Sequence, residues 1–391
     1  MSSPMPYMTP PPSPQRANLS VRLKSALIMG VTGVLSKCFL YGFNRVEVTG
    51  FSRLLDVLES RKDASKRQRG LLTVSNHISV LDDPVVWGIL PLRYMFDPSN
   101  LRWSLGAADI CFTNRILSNF FSHGQVLPCY RLKHSPKGGP FQPILGQAVR
   151  LLSGPTPFSP SSILPPPPTL TPSDNKPPTP SHTNDYYHYS PIPHPPNSWV
   201  HIFPEGCVHQ HPSTDLRYFK WGVARLILES DPPPLILPMF IDGTQRVMPE
   251  DRGFPKFLPR IGKTVRVAFG EPVDFEEAFG DLKRRWEALV RKERERALEK
   301  GAGGDSGVLM EKRWVPGELP SDELRYGEEA KQIRIEVARR MREEVLKVRK
   351  ALAQYPEPDP TFGLAETWRP DDTIEAKKYK SRVDGSNISQ D

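Results

Sequence analysis

Cysteine is sparse in this chain of 391 residues: Cys38, Cys111, Cys129 and Cys207 lie far apart, with no C-x-x-C pair. That spacing offers neither a disulfide framework nor a zinc site, and the four are expected as reduced, mostly buried thiols. Apolar residues are also few, at 38%, below the usual share of a globular domain. Proline accounts for the shortfall: there are 44, unevenly spread, so part of the chain is expected outside any packed core. No cleavable signal sequence is evident, and with few arginines before position 22 the start is a poor transit peptide. A recognised nucleic-acid module is missing. So is a G-x-S-x-G elbow, which disfavours a serine lipase. The GDSG tetrapeptide at residues 304–307 imitates a serine-protease nucleophile, but it lies in Gly-rich sequence between charged runs.

What is present begins with charge. A formal balance of +8 favours anionic partners, either nucleic acid or an acidic membrane surface, without choosing between them. Residues 1–17 are Pro- and Ser-rich and are expected to be disordered. Residues 18–45 read as an apolar, membrane-associated helix. Its segment 25–43 carries one charge, Lys37, and Arg22, Lys24 and Arg45 flank it. At the lower length limit for a span and with three glycines, an interfacial or shallowly inserted helix fits better than a crossing one; a buried core helix is the alternative.

From 46 to 153, and again from 198 to 300, β-like and helix-like runs alternate. Strands are expected at 46–48, 71–75, 125–130, 199–203, 235–241 and 264–269, each rich in branched or aromatic residues and bounded by Gly, Pro or polar positions. Helices are expected at 84–90, 107–122, 141–152 and 216–229. The alternation predicts an α/β fold, a central, mostly buried sheet flanked by helices. Residues 61–69 form a run of net charge +4, expected as a solvated loop or a membrane contact. Residues 154–197 form a Pro-rich insert, read as a disordered excursion because strand-like sequence resumes at Trp199. Residues 301–355 read as a charged helical extension whose Ile333, Val337, Met341, Val345 and Val348 can pack along one face. Residues 356–391 read as a disordered tail.

The chemistry centres on SNHISVLDDP, residues 75–84. On a continuous helix, five residues would set His77 and Asp82 well apart around the axis. They meet only if the chain turns, and Asp83 as N-cap with Pro84 opening a helix supplies the turn. A paired carboxylate would fix the imidazole tautomer, and a histidine suits proton transfer near neutrality. Taken alone, the pattern also fits a histidine capping a helix start. HIFPEG at 201–206 places Glu205 and Gly206 at a strand exit, GQVLPCYR at 124–131 ends in an arginine able to clamp a phosphate or to form a surface salt bridge, and LILPMF at 235–240 is strand-like.

In this order, His77/Asp82, Gly124…Arg131, Phe203-Pro-Glu-Gly206 and Ile236…Pro238 resemble the four blocks of the glycerolipid acyltransferase family. Longer stretches, TVSNHISVLDDPVVWGIL, AADICFT, HIFPEG, YFKWGVARLI and ILPMF, are similar to a phospholipid–lysophospholipid transacylase branch that remodels cardiolipin. The likeness covers about 20–275. It implies the acyltransferase fold and acyl transfer without acyl-CoA, cofactor or metal. His77 would be the base and Asp82 its orienter. Arg131, Glu205, Gly206, Gly124, Asn76 and Ser79 would hold the substrate. Its partners would be phospholipid and lysophospholipid (cardiolipin and monolysocardiolipin) and an anionic membrane surface, with no nucleic acid. The implied location is mitochondrial membranes facing the intermembrane space.

Membrane contact is expected from Leu27, Ile28, Phe39 and Leu40 in the first helix, and from Phe219, Trp221 and Leu226 in 216–229; core packing is the alternative for the latter. One departure from the family pattern is Cys207, where a basic residue usually follows F-P-E-G. An acyl-CoA-dependent lysophospholipid acyltransferase and a non-catalytic membrane-binding scaffold are the competing readings.

Overall fold

The computed structural model describes residues 19–132, 135–155, 195–255, 257–301, 316–352 and 354–368. The expectations for 1–17, for most of the Pro-rich insert, for the GDSG segment and for the end of the tail lie outside the described residues. Seven strands are joined in one sheet: β1 (Arg45–Thr49), β2 (Leu71–Val74), β3 (Arg102–Ala107), β4 (Val126–Cys129), β5 (Trp199–Ile202), β6 (Leu235–Asp242) and β7 (Thr264–Phe269). Their order is β1-β7-β6-β2-β5-β3-β4. Strands β6, β2, β5, β3 and β4 are mutually parallel, β7 is antiparallel to β6, and β1 is parallel to β7. The carboxyl ends of five strands therefore lie along one edge. Among the described residues, the helices of eight or more residues are α1 (Leu19–Phe43), α2 (Phe51–Ser60), α3 (Arg115–His123), α4 (Pro143–Leu152), α5 (Gly222–Glu229), α6 (Phe275–Gly301) and α7 (Glu328–Ala351).

Both faces of the sheet are covered, which is why its central strands read as continuous apolar runs. Successive residues alternate between two cores. Leu72, Val74, Val200, Ile202, Ile236 and Phe240 pack with α4, α5, α6 and α7. Leu71, Trp199, Leu237, Met239 and Ile241 pack with α1, α2 and the short turns of 82–96. The expected strands all form. Strand β3 is an addition: Arg102, Ser104 and Gly106 interrupt its apolar residues, so it fails a test based on apolar runs. The helix expected over 107–122 is split, because the Asn114 side chain accepts from Leu117 N and starts α3 afresh.

Helix α1 is neither a free span nor a core helix. Its inner side packs on the 82–96 turns, where Gly88 matters: a Cβ there would come within 2.6 Å of the α1 backbone. Lys37, the one charge in the apolar stretch, donates to the carbonyls of Gly88 and Leu90 at 3.3 and 3.2 Å, and burial lowers its pKa. Leu19, Leu23, Leu27, Val31 and Leu35, four residues apart, form an exposed outer stripe. Of the expected membrane contacts on α1, Leu27 is exposed, Ile28 and Phe39 are half-buried, and Leu40 is buried in the core.

The expected contacts in 216–229 are corrected more fully. The helix begins only at Gly222, and Phe219 and Leu226 are buried. Trp221 is half-buried. The segment is a core element because α7 covers it. Arg342 on α7 donates to the carbonyls of Leu216 and Arg217 at 2.6 and 2.9 Å, and Arg349 donates to those of Ser213 and Thr214.

A further expectation changes in part for the same reason, the pull of unpaired backbone carbonyls on long cations. The basic run 61–69 is a loop whose Lys62, Lys66 and Gln68 are exposed, as expected, but its arginines turn inward. Arg61 and Arg67 are buried, binding Asn197 O and Arg61 O at 2.6 and 2.7 Å, and Arg69 reaches Pro233 O. They clamp the amino edge of the sheet, opposite His77, and burial brings Arg61 down to about 9. The charged extension packs along the face its spacing predicted. Its α7 contributes Ile333, Val337, Met341, Val345 and Val348 to the core. Residues 360–368, expected within a disordered tail, form two short 3-10 turns that end in buried Trp368.

If α7 is core, Met341→Ala is expected to cost about 2–5 kcal/mol in urea denaturation. A surface appendage would lose under about 0.5 kcal/mol.

Candidate active site

Strand β2 ends at Val74, and the next residues fold back across the carboxyl edge of the sheet. Asn76 fixes their path: its amide donates to Ile241 O and accepts from Ile241 N, both at 2.8 Å. Ser79 O accepts from Asp82 N at 3.0 Å, which closes the turn. The bend brings the His77 Nδ1 atom to 2.9 Å from Asp82 Oδ2. Asp83 has an extended backbone and Pro84 follows it into the helical turn Asp82–Val85, much as the cap reading implied. The Asp83 carboxylate, however, pairs with Arg102 on β3 instead of capping. Burial opposes its ionisation, but Arg102 and Ser104 hold its pKa below the usual value.

Asp82 is fully occupied. Its Oδ2 accepts from Ile78 N at 2.7 Å, Ser79 N at 2.9 Å and His77, and its Oδ1 accepts from Thr244 Oγ1 at 2.5 Å. All four contacts are made by donors, so the carboxylate acts here as an acceptor. The His77 proton then belongs on Nδ1, which leaves Nε2 at the far end of the ring with a free lone pair. The ring stacks on Phe203, centroids 4.2 Å apart, and keeps 22% of its side-chain surface accessible.

Glu205 secures the backbone of His77. Its Oε1 accepts from His77 N at 2.9 Å and its Oε2 from Arg217 N at 3.0 Å. Burial pushes this carboxyl up to about 7, against the pull of the two amides and of the Arg217 and His77 charges. Both oxygens are used inside the fold, so Glu205 positions the histidine and does not project a free acceptor to a substrate. Asn76 and Ser79 are corrected likewise. Asn76 is spent on β6, and the Ser79 hydroxyl accepts from Leu81 N in a fully buried position.

His77 opens into a cavity of about 1050 Å³ at the carboxyl ends of β2 to β5, the usual ligand position in such sheets. This is at the top of the range for small-molecule sites, about 300–1,000 Å³. Gly124, Arg131 and Gly206 line it, as do Ile28 and Trp221. Arg131 is also paired with Asp109, Nε to Oδ1 at 3.2 Å. Lys220, next to the expected membrane contact Phe219, also lines the cavity. Gly206 has φ +70°, and a Cβ there would come within 2.9 Å of the Lys220 side chain. Burial raises the Cys129 thiol to about 11, against the Gln142 hydrogen bond and the Lys220 and Arg131 charges, and both cations line the cavity. Lys220 supplies a cation near Gly206, where the chain has Cys207. Its neighbour Arg217 turns inward instead, Nη1 to Cys207 Sγ at 2.7 Å.

Beneath the site, His201 on β5 is bonded to Thr73 Oγ1 at 2.8 Å and lies edge-on to Phe203. Burial, then the Arg102 and His77 charges, bring it down to about 3 despite the opposing Asp83 charge.

No family model matches the chain. Tafazzin of Saccharomyces cerevisiae is 35% identical over 364 residues, 90% of this chain and 84% of that protein. N-acylphosphatidylethanolamine synthase of Arabidopsis thaliana is 30% identical over 255 residues, 65% of this chain and 71% of that one. A solved 1-acyl-sn-glycerophosphate acyltransferase from Thermotoga maritima aligns at 15% identity and a TM-score of 0.36, over 75% of this chain and 80% of that one.

Two outcomes test this geometry. Asp82→Asn is expected to stay within about 1 kcal/mol of the parent stability, because an amide still offers an oxygen to the N–H donors and an N–H to Thr244. Asp82→Ala strands two buried amides and a hydroxyl and is expected to lose about 2–5 kcal/mol in urea; equal losses would mean that the carboxylate does not organise the loop. For His201 the folded pKa lies below the unfolded one, so the unfolded chain binds the extra proton. Its contribution is intact above about 6.5 and is lost as pH falls toward about 3, by up to about 1.4 kcal/mol per pH unit. His201→Asn is expected to flatten the acid limb of the stability–pH curve over that window.

Proposed function

The chain belongs to the tafazzin family and is a phospholipid acyltransferase, and on that premise we propose that it moves an acyl group directly from a phospholipid to a lysophospholipid, with His77 as general base. The observation that carries this reading is the buried Asp82 carboxylate, held by four donors, against Nδ1 of a histidine whose ring opens into a large cavity. In the proposed step, the lysophospholipid hydroxyl gives its proton to His77 Nε2 as its oxygen attacks the acyl ester carbonyl of the donor. The tetrahedral oxyanion collapses by breaking the bond to the donor's glycerol oxygen. The proton on Nε2 passes to that leaving oxygen, so the base is regenerated and no other reactant is consumed. Asp82 stabilises the transient imidazolium. Arg131 and Lys220 supply positive charge for the phosphate of the headgroup.

Because ester exchange between two lipids is close to symmetric, the same residues serve both directions, and no thioester is required. The likeness of residues 73–90 and 218–227 to cardiolipin-remodelling enzymes supports cardiolipin and monolysocardiolipin as the pair. It also supports action at mitochondrial membranes facing the intermembrane space, with the exposed stripe of α1 against an anionic bilayer. The Arabidopsis relative favours one variation, an amine in place of the hydroxyl acceptor, since its name describes acylation of an ethanolamine nitrogen. The same base would take the amine proton.

The test is a liposome assay with the purified protein, a labelled phospholipid donor and a lysophospholipid acceptor, without acyl-CoA. Labelled diacyl product is expected, and His77→Ala is expected to lower the rate by about 10²–10⁴ with the melting temperature unchanged. Strict dependence on a thioester would remove the transacylase reading, and an undiminished rate in His77→Ala would remove the base.

A further inference from the structure

Between Val247 and β7 the chain makes an excursion at the carboxyl edge of the sheet. Phe254, Phe257, Leu258 and Ile261 project from it with exposures of 95%, 77%, 58% and 61%. Four large apolar side chains are thus left mostly in water, where their surface gains nothing from the hydrophobic effect. Arg252, Arg260 and Lys263 bracket them, and no acidic residue occurs from 252 to 263. The base of the excursion is pinned: Arg260 N donates to Val247 O at 2.8 Å, Gly262 N to Phe43 O at 2.7 Å and Lys263 N to Asn44 Oδ1 at 3.1 Å. These bonds set it beside the end of α1, where Tyr41 and Phe43 are also exposed. The outer stripe of α1 therefore continues into the excursion. The active site shares this edge, since Thr244, at the start of the same connection, holds Asp82.

We propose that residues 252–255 and 257–263 form a second membrane anchor, with the four apolar side chains inserted among lipid acyl chains and the flanking Arg252, Arg260 and Lys263 on anionic headgroups. The proposal rests on the reading of the protein as an enzyme acting on bilayer lipids. Three features favour a bilayer as the occupant. The apolar residues are broken up by Pro255 and Pro259 and protrude, where a protein interface would present a packed flat patch. Within the excursion the charges are of one sign, with exposed Asp251 just outside it, and they complement acidic lipid. The patch is continuous with the apolar stripe of α1, and the substrate of the family is itself a membrane lipid. With α1 and the excursion both seated, the edge that carries His77 is turned toward its lipid supply.

The experiment uses the full chain and vesicles of phosphatidylcholine alone or mixed equally with phosphatidylglycerol. Phe254→Ser/Phe257→Ser is expected to lower partition onto the anionic vesicles by about tenfold or more. Arg260→Glu/Lys263→Glu is expected to lower it by a similar factor on anionic vesicles and to leave binding to neutral ones little changed. Transfer between short-chain lipids kept below their micellar concentration should be unaltered in both variants. His77→Ala bears on the acyl-transfer reading alone: it should lose transfer and keep partition. Wild-type partition in the Phe254/Phe257 variant would overturn the anchor. So would a concentration-dependent dimer, seen by sedimentation, that this variant abolishes while vesicle binding persists, since the occupant would then be a second copy of the chain.

Discussion

The structure around the active site depends on one buried carboxylate. Asp82 gathers two loop amides, one imidazole and the hydroxyl of Thr244, and each of these comes from a different demand. The amides of Ile78 and Ser79 have no strand or helix partner, so without Asp82 they would be buried unpaired. The imidazole needs a fixed tautomer. Thr244 ties the loop after β2 to the connection after β6. A single charge thus closes the loop, orients the base and joins two strand ends, which is why its burial is tolerated despite the cost of desolvation.

The neighbouring aspartate does a separate job. An extended backbone at Asp83 sends its side chain to the opposite side, where Arg102 meets it. Strand β3 is held to the site in this way. On the other flank, Glu205 holds the backbone of His77, Arg217 sits beside Glu205, and Trp368 lies over Arg217 with the guanidinium 4.7 Å from its ring. The far end of the described chain therefore packs into the support of the catalytic histidine. Residues that read as a charged extension and a tail belong to the same core as the strands.

Much of this was legible. Short apolar runs bounded by turn residues gave the expected strands, because a sheet covered on both faces demands apolar residues on both sides of each strand. The turn between His77 and Asp82 was legible because their spacing is wrong for a helix. Strand β3 was not legible, since the carboxylate that Arg102 meets, Asp83, comes from a separate loop 19 residues earlier. The substrate roles expected of Asn76, Ser79 and Glu205 failed for a similar reason. A polar side chain at a strand exit looks available until its backbone partners on β6 or near Arg217 are known.

Sequence alone determined the α/β alternation, the position of the His–Asp pair and the apolar character of α1, all of which follow from local patterns of burial and turning. Only the tertiary structure decided which cations face solvent, which hold backbone carbonyls and which line the cavity. Arg61, Arg342, Lys220 and Arg260 are alike as letters, yet the first two are buried clamps, the third lines the cavity and the last is exposed. The difference is set by which unpaired acceptors and which apolar surfaces folding brings within reach of a long, flexible side chain.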